Sequence, residues 1–591
     1  MKKKIIQMTA VISAGIMLFT GCGNSGGSSD VTTTVQQEES TTTAQQEEAT
    51  TTAQQEEATT TAPATEALTT TTNEVTTDEV TTEATTTVIE ADSDDGVIRY
   101  PDINTQIEYY YDDNEAGSLT LYGHYPVIEL LENQDVNFQK MKSRIADINE
   151  KIRSSFFINV KSFGKAIDEK LAGRAEDFEY STYDVDSYIK RADSNVFSVE
   201  VVEKFDDNFG DESYTLYTGK NVDGKTGEYI YLDEIIKEDK YADFAKEAVN
   251  SIVYQNYEIG DMLDNGLITW DQMTSAFENR LNDQGNIKDY QFTIDAKGIN
   301  LYLEGHMIGI DYNNHIFARV EFSYCEDCIN EKYLNAGDNY VMSLNEYVNE
   351  EDKRSYIYDF GDMGESKKLW IEYTPESYVD DEYTSASVEI NYRGEIFKSD
   401  DLYWGMGINP YIFCIDGTQK LVIEVDDEYG YNTILFFDLS GDKLELVDKE
   451  DYSFVGEPTN SKNVNLSTNC DNISTYSAVS SFKATKEGFE SNSDVLYWYS
   501  LSNIELTLKQ DFEMYVVDEE GNDIETKTFK AGETFTIYRT NGNKDIVDVV
   551  SADGEICRMY VEEGYFEESV YGRKINGIIL ENVFEGCLFA G

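Results

Sequence analysis

The chain is 591 residues long and carries 114 Asp and Glu against 46 Lys and Arg, a formal net charge of −68. That balance excludes nucleic acid as a partner, because binding it requires an electropositive footprint. Seven cysteines in so long a chain exclude a disulfide framework of the small secreted kind.

The chain opens Met1-Lys2-Lys3-Lys4, followed by an apolar run from Ile5 to Phe19 and then Thr20-Gly21-Cys22. A basic start, a short apolar stretch and small residues at its end predict a secretory signal over residues 1–21. The run is shorter than the roughly 20 apolar residues a stable transmembrane helix needs. Leu18-Phe19-Thr20-Gly21-Cys22 resembles the lipobox of bacterial lipoproteins. The resemblance implies lipid attachment at Cys22, anchoring to the membrane, and a location on the extracellular face of the cell membrane.

Residues 22–95 offer nothing that builds a core. A nine-residue unit recurs as Thr32–Ser40, Thr41–Ala49 and Thr50–Ala58, and Thr/Glu-rich sequence continues to Thr87. With no aromatic residue and no Lys or Arg, the segment reads as a self-repelling disordered spacer.

Residues 96–330 predict an α+β domain, with helices packed on an antiparallel sheet. Strands are expected at Thr105–Asp112 and Leu119–Tyr122. A helix follows, because Met141, Ile145, Ile148, Ile152, Phe156, Val160, Phe163, Ile167 and Leu171 recur at steps of three and four. Gly173 suits its C-cap. Strands are then expected at Phe178–Asp186, Val196–Glu203 and Tyr214–Thr218, helices at Tyr241–Tyr257 and Trp270–Leu281, and closing strands at Phe292–Ile294, Ile299–Glu304 and Ile316–Ser323.

Several segments carry a further likeness: Asn195-Val196-Phe197-Ser198-Val199, Asn221-Val222-Asp223-Gly224-Lys225-Thr226-Gly227, Tyr231-Leu232-Asp233-Glu234-Ile235 and Phe292-Thr293-Ile294-Asp295-Ala296-Lys297-Gly298-Ile299. Their order, after a long helix, resembles the extracytoplasmic module of RsiV-type anti-sigma factors and of PdaC-type peptidoglycan deacetylases, outside the latter's catalytic part. The resemblance covers about residues 100–325. It implies a binding head for a cationic wall-active enzyme such as lysozyme, or for a wall component such as peptidoglycan.

From about residue 335 the pattern becomes short aromatic and β-branched strands separated by acidic turns, which predicts an all-β half. Residues 335–500 form one expected domain. There Tyr411–Ile415, Leu421–Val425, Ile434–Leu439 and Lys443–Leu446 resemble a propeller blade, and Asp416-Gly417 supplies a turn where calcium-binding relatives carry a denser acidic loop. Residues 501–591 form the other, with Ile504 to Glu562 resembling an SH3-like barrel.

Residues suited to catalysis are few. Cys325 and Cys328 form a lone CxxC without further ligands at metal spacing, and its acidic neighbours oppose thiolate formation. The histidines are His124, His306 and His315, and a zinc site from His306, His315 and Glu304 would need their strands to form a hairpin. No phosphate loop or nucleophile elbow occurs. The expected function is therefore non-catalytic binding or sensing, with no cofactor, no metal and no catalytic residue. A structural or adhesive wall lipoprotein is the first alternative. A hydrolase hidden in the β-rich half is the second.

Overall fold

The computed structural model describes residues 97–113, 119–130, 138–171, 180–206, 213–283, 287–345, 355–359, 368–375, 377–379, 382–402, 405–427, 432–439, 441, 444–564 and 571–589. The signal segment, Cys22, the repeats and Gly173 lie outside them. Among the described residues no helix is long and apolar enough to cross a membrane.

The N-terminal half is α+β. Its first sheet takes its strands in chain order: β1 (Ile103–Asp113), β2 (Leu119–Leu130), β3 (Ser181–Ala192), β4 (Val196–Asp206) and β5 (Ser213–Asp223). The sheet is mixed, which corrects the antiparallel expectation. β2 and β3 run parallel, with Leu121 opposite Ser181 and His124 opposite Asp184, while the other pairs are antiparallel. The cause is helix α1 (Gln139–Leu171), which joins β2 to β3; a helical crossover returns the chain to a strand of the same direction. β2 also continues through Tyr125-Pro126-Val127-Ile128, beyond the Leu119–Tyr122 strand expected from the sequence.

The helical stripe behaves as its spacing requires. Met141, Ile145, Ile148, Ile152, Phe156, Val160 and Ile167 are buried against Leu121, Tyr125, Tyr183, Val185 and Phe197 of the sheet. Burying each such side chain contributes about 1.5–3 kcal/mol, so this one face dominates the stability of the first layer. At its far end Asn159 donates to the Tyr183 hydroxyl at 2.7 Å, which donates to Glu203 at 2.7 Å.

A second core forms around the one-turn α2 (Leu232–Ile235), α3 (Tyr241–Gln255), α4 (Tyr257–Asp264), α5 (Trp270–Leu281) and an antiparallel sheet of β6 (Gln291–Ile294), β7 (Gly298–Leu303) and β8 (Ile316–Glu321). This sheet lies over the β4–β5 end of the first one. Tyr217 of β5 stacks on Tyr302 (6.1 Å, 13°), and Asn221 donates to the Phe292 carbonyl at 2.7 Å. Gly219 permits that approach, because a Cβ there would collide with the Phe292 backbone.

Three turns of this half share one device. In each, an Asp carboxylate accepts the two backbone N–H groups of its own turn and is held by a cation from elsewhere. Asp193 accepts from Asn195 and Val196 (2.7 and 2.9 Å) and from Arg191 Nε at 2.6 Å. Asp223 accepts from Lys225 and Thr226 (2.9 and 2.8 Å) and pairs with Lys332. Asp295 accepts from Lys297 and Gly298 (2.7 and 2.9 Å) and pairs with Arg319. Arg191 reaches further, donating to the carbonyls of Tyr333 and Asn335 at 2.6 Å each. Tyr100 donates to the Ala336 carbonyl at 2.7 Å, so the entry strand and the exit segment meet at one turn.

The C-terminal half is all-β. β10 (Ser355–Asp359), β11 (Lys368–Thr374), β14 (Ala386–Tyr392) and β15 (Glu395–Leu402) form one sheet, and β12 (Ser377–Val379) and β13 (Glu382–Thr384) a small hairpin. A second sheet orders β19 (Glu445–Glu450), β18 (Thr433–Asp438), β17 (Thr418–Asp427), β16 (Gly405–Ile415) and β9 (Val341–Ser343). Its two faces feed two cores. Ile412, Leu421, Ile423, Leu435 and Phe437 face the β10–β15 sheet, while Tyr411, Phe413, Val422, Ile434 and Phe436 face the strands that follow. Burial on both sides explains the uninterrupted apolar runs of β16, β17 and β18, whereas β11, covered on one side, alternates.

The remaining strands form one large sheet, running from β20 (Ser453–Phe454), β21 (Val464–Asp471), β22 (Thr475–Thr485) and β24 (Tyr497–Ser500) to β28 (Thr534–Asn541), β29 (Ile546–Ser551), β30 (Ile556–Glu563), β26 (Phe512–Val517) and β27 (Asp523–Phe529). Trp498 of β24 pairs with Thr540 of β28, so hydrogen bonding runs across the boundary placed at residue 500. Inside this sheet Asp548, 1% exposed, lies between Arg539 and Arg558, each at 2.8 Å.

Replacing Arg191 with Ala strands the Asp193 carboxylate in a buried site. The expected loss is about 3–5 kcal/mol, read from the urea midpoint. Lys462→Ala, which removes the exposed pair with Asp416, is the control with little expected change.

Candidate functional site

Helix α1 covers one face of the five-stranded sheet, and β6–β8 cover the β4–β5 end of the other. What stays partly open is the outer face of β1, β2 and the first half of β3, since further along β3 the Lys190 side chain is only 7% exposed. The pleat sends alternate residues to it, and register brings them together: Tyr109 opposite His124, Tyr111 opposite Tyr122, His124 beside Asp184, and Lys204 opposite Asp184.

The aromatic part is a ladder. Tyr111 and Tyr122 have ring centroids 5.3 Å apart, Tyr109 and Tyr122 6.1 Å, and Tyr122 and Tyr180 6.3 Å. Tyr111 is 58% exposed. Burial, followed by the neighbouring phenols Tyr109 and Tyr111 and the Asp184 carboxylate, raises the Tyr122 pKa above its ordinary value. Burial, Tyr111 and Asp184 likewise raise that of Tyr109. Tyr109 and Tyr122 therefore stay neutral at physiological pH, and the ladder presents flat π-faces to a ligand.

The polar part is centred on His124. Its Nδ1 lies 2.9 Å from Asp184 and its Nε2 2.9 Å from Asp186. The Nε2 contact is a hydrogen bond and the Nδ1 contact a close ion pair; a neutral imidazole with its N–H on Nε2 would turn the Nδ1 lone pair towards the Asp184 carboxylate, which the imidazolium avoids. Burial opposes that charge, but the hydrogen bonds and charges of Asp184 and Asp186 outweigh it and lift the pKa to about 9. Burial also works against ionised Asp186, and the contacts with His124 and Lys204 more than reverse it. Lys204 stands 3.3 Å from Asp186. Two carboxylates and two cations balance, so the platform is aromatic and nearly neutral inside a strongly acidic molecule.

The residues singled out in the sequence fall elsewhere. Cys325 and Cys328 are free, buried thiols beside a shallow surface depression of about 460 Å³, and burial raises both pKa values, that of Cys325 to about 12. The strands before His306 and after His315 do pair, with Leu303 opposite Ile316. Even so, His306 caps an exposed turn against Glu304 at 3.0 Å, and no group of three metal-ligating side chains converges among the described residues. Asp416 and Gly417, both at positive φ, make the two-residue turn between β16 and β17, and Asp416 pairs with Lys462. Tyr109, Tyr122, Asp184 and Asp186 were not singled out, and His124 was named only as one of the three histidines. Alternation in Tyr109-Tyr110-Tyr111 and Asp184-Val185-Asp186 is visible in the sequence, but their meeting depends on the parallel β2–β3 register.

No family model and no curated protein matches the chain. Among solved structures it is similar to a member of the DUF3298 family from Bacteroides fragilis, 10% identical over 40% of this chain and 98% of that one, with a TM-score of 0.26. It is also similar to a DUF3298 family protein from Pseudomonas aeruginosa, 9% identical over 39% of this chain and 96% of that one, with a TM-score of 0.24.

The His124 pair sets a pH dependence of stability. Its folded pKa lies above the ordinary 6.5, so the contribution is full below about pH 6.5 and is lost as pH rises through 9. The urea midpoint is expected to fall between pH 6 and pH 9.5. In His124→Gln that fall is expected to shrink, with a starting stability lower by about 1–3 kcal/mol.

Proposed function

We propose that this chain is a lipid-anchored surface protein that captures a cationic wall-active protein of the lysozyme kind without performing chemistry on it. The observation that carries the reading is the tyrosine ladder on the open face of β1–β3. Tyr109, Tyr111 and Tyr180, each in ring contact with Tyr122, offer stacking surface for Lys and Arg side chains, each cation–π contact contributing about 0.5–2 kcal/mol. The long-range attraction is supplied by the rest of the molecule, whose charge of −68 draws cationic partners from solution. The segments resembling the wall-facing module of RsiV-type proteins favour the same partner class.

In this reading Cys22 carries the lipid, residues 22–95 set the reach, and the folded residues are presented outward. The blade-like strands of residues 335–500 and the SH3-like strands of residues 501–591 serve as accessory modules on the same tether. Sugar rings stack on tyrosine as well, and a flat aromatic platform of neutral balance suits a wall glycan as the second reading.

Binding of hen lysozyme to the full chain, followed by calorimetry at low and high salt, tests the first reading. Affinity is expected to fall as salt rises and to drop about tenfold in Tyr122→Ala, a loss of roughly 1.4 kcal/mol. No binding at low ionic strength removes lysozyme-like partners. Salt-independent sedimentation with peptidoglycan, lost in Tyr122→Ala, selects the glycan reading instead.

A further inference from the structure

The second sheet of the C-terminal half holds two carboxyl groups, one buried and one half-buried, that the binding reading does not use. Glu424 and Asp426 are two residues apart on β17, so their side chains share one face, the one turned towards β20. Glu424 is 5% exposed. Both groups lean on the same donors. Asn409 Nδ2 stands 3.4 Å from Glu424 Oε2 and 3.1 Å from Asp426 Oδ2, and Asn432 Nδ2 stands 3.3 Å from Glu424 Oε1 and 3.2 Å from Asp426 Oδ1. The Phe454 backbone N–H donates to Glu424 Oε1 at 2.8 Å. Every donor on this list is neutral.

The groups facing the pair from other elements add no compensating charge. β16 contributes Asn409 and Tyr411, and the residue before β18 is Asn432. The segment after β20 brings Glu457, a further acid, and β10 brings Tyr356, whose hydroxyl donates to the Ile408 carbonyl at 3.2 Å. Lys190 of β3 acts on Tyr411 from a distance, but its amine is held by Glu200 at 3.0 Å. Two ionised carboxylates in this setting would repel each other in a low-dielectric seam, whereas a retained proton removes one of the charges.

We propose that Glu424 and Asp426 form a proton-holding joint that seats the segment 453–457 on the second sheet at mildly acidic pH and loosens it when the proton leaves. The proton departs to solvent and no other bond changes. Burial first, then the Asp426 charge, moves Glu424 up to about 7; burial moves Asp426 up to about 6. Both lie above ordinary carboxylate values, so the stabilisation is full below about pH 4 and is lost as pH climbs through 6 to 7. The segment it governs is central to a core: Phe454 lies 5.3 Å from the Tyr411 ring and stacks on Phe413 at 5.9 Å and 22°. Loosening at Phe454 therefore reaches the contact between two sheets.

Hydrogen exchange of the full chain, read as protection factors for residues 450–460 and 420–427 between pH 5 and pH 8, tests the joint. Protection is expected to fall on the order of tenfold in the wild type and less than about twofold in Glu424→Gln. Asp426→Asn is the second variant, with the same flattening expected. It serves if Glu424→Gln fails to fold. Identical pH profiles in the wild type and in a folded variant overturn the proposal. So does calcium-induced protection at constant pH that Glu424→Gln abolishes, because it would make the pair a cation site. Neither result touches lysozyme binding, which is measured at the β1–β3 face.

Discussion

The structure of the N-terminal half depends on a cation buried against a turn carboxylate. A tight turn leaves backbone N–H groups pointing inward without partners, and an Asp at its first position accepts two of them at once. Buried, that carboxylate is costly unless a cation shares it. Arg191, Lys332 and Arg319 supply the charge at Asp193, Asp223 and Asp295, each from a position the turn itself does not contain. Because Lys332 lies more than a hundred residues from Asp223, and Arg191 also binds the carbonyls of Tyr333 and Asn335, these locks hold the exit segment in place. In a chain with more than twice as much acid as base, basic residues are scarce, and Arg191 and Arg319 are buried at such joints while Lys332 stays partly exposed. The uncompensated acid is left to the surface.

That distribution accounts for the contrast between the molecule and its open sheet face. The locks settle how β6–β8 lie over β4 and β5, and so determine which strands remain uncovered. The exposed remnant carries tyrosines and a balanced set of charges, while the surrounding acid supplies the long-range field. In the proposed reading, encounter rate belongs to the whole surface and contact energy to a few rings. His124 belongs to both layers of the argument. As an imidazolium between Asp184 and Asp186 it fastens the parallel β2–β3 pair, and it ends the tyrosine ladder with a fixed charge.

Much of the fold was legible because burial imposes a period. The stripe from Met141 to Ile167 announced α1, and Trp270–Leu281 was bounded correctly, with Thr269 capping it through the Gln272 N–H. The turn at Asp416-Gly417 was likewise plain from its residue types. Less legible was anything that depends on two distant segments meeting. The parallel register of β2 and β3 follows from the route of α1, which periodicity does not encode. The double burial of β16–β18 produced apolar runs that resemble a blade as readily as the middle of a stack. Among the motif residues, Asp223 and Asp295 looked like marks of a recognition module, and their side chains proved to be occupied in holding turns.

The sequence by itself determined the strongly acidic balance, the stripe of α1 and the change from α+β to all-β near residue 335. These are properties of composition and local period, set residue by residue. Only the tertiary structure decided which tyrosines share a face, that His124 sits between two carboxylates, and that buried Glu424 and half-buried Asp426 share neutral donors. Each of those is a property of neighbours brought from far along the chain, and a side chain's charge and availability are set by such neighbours rather than by its position in the sequence.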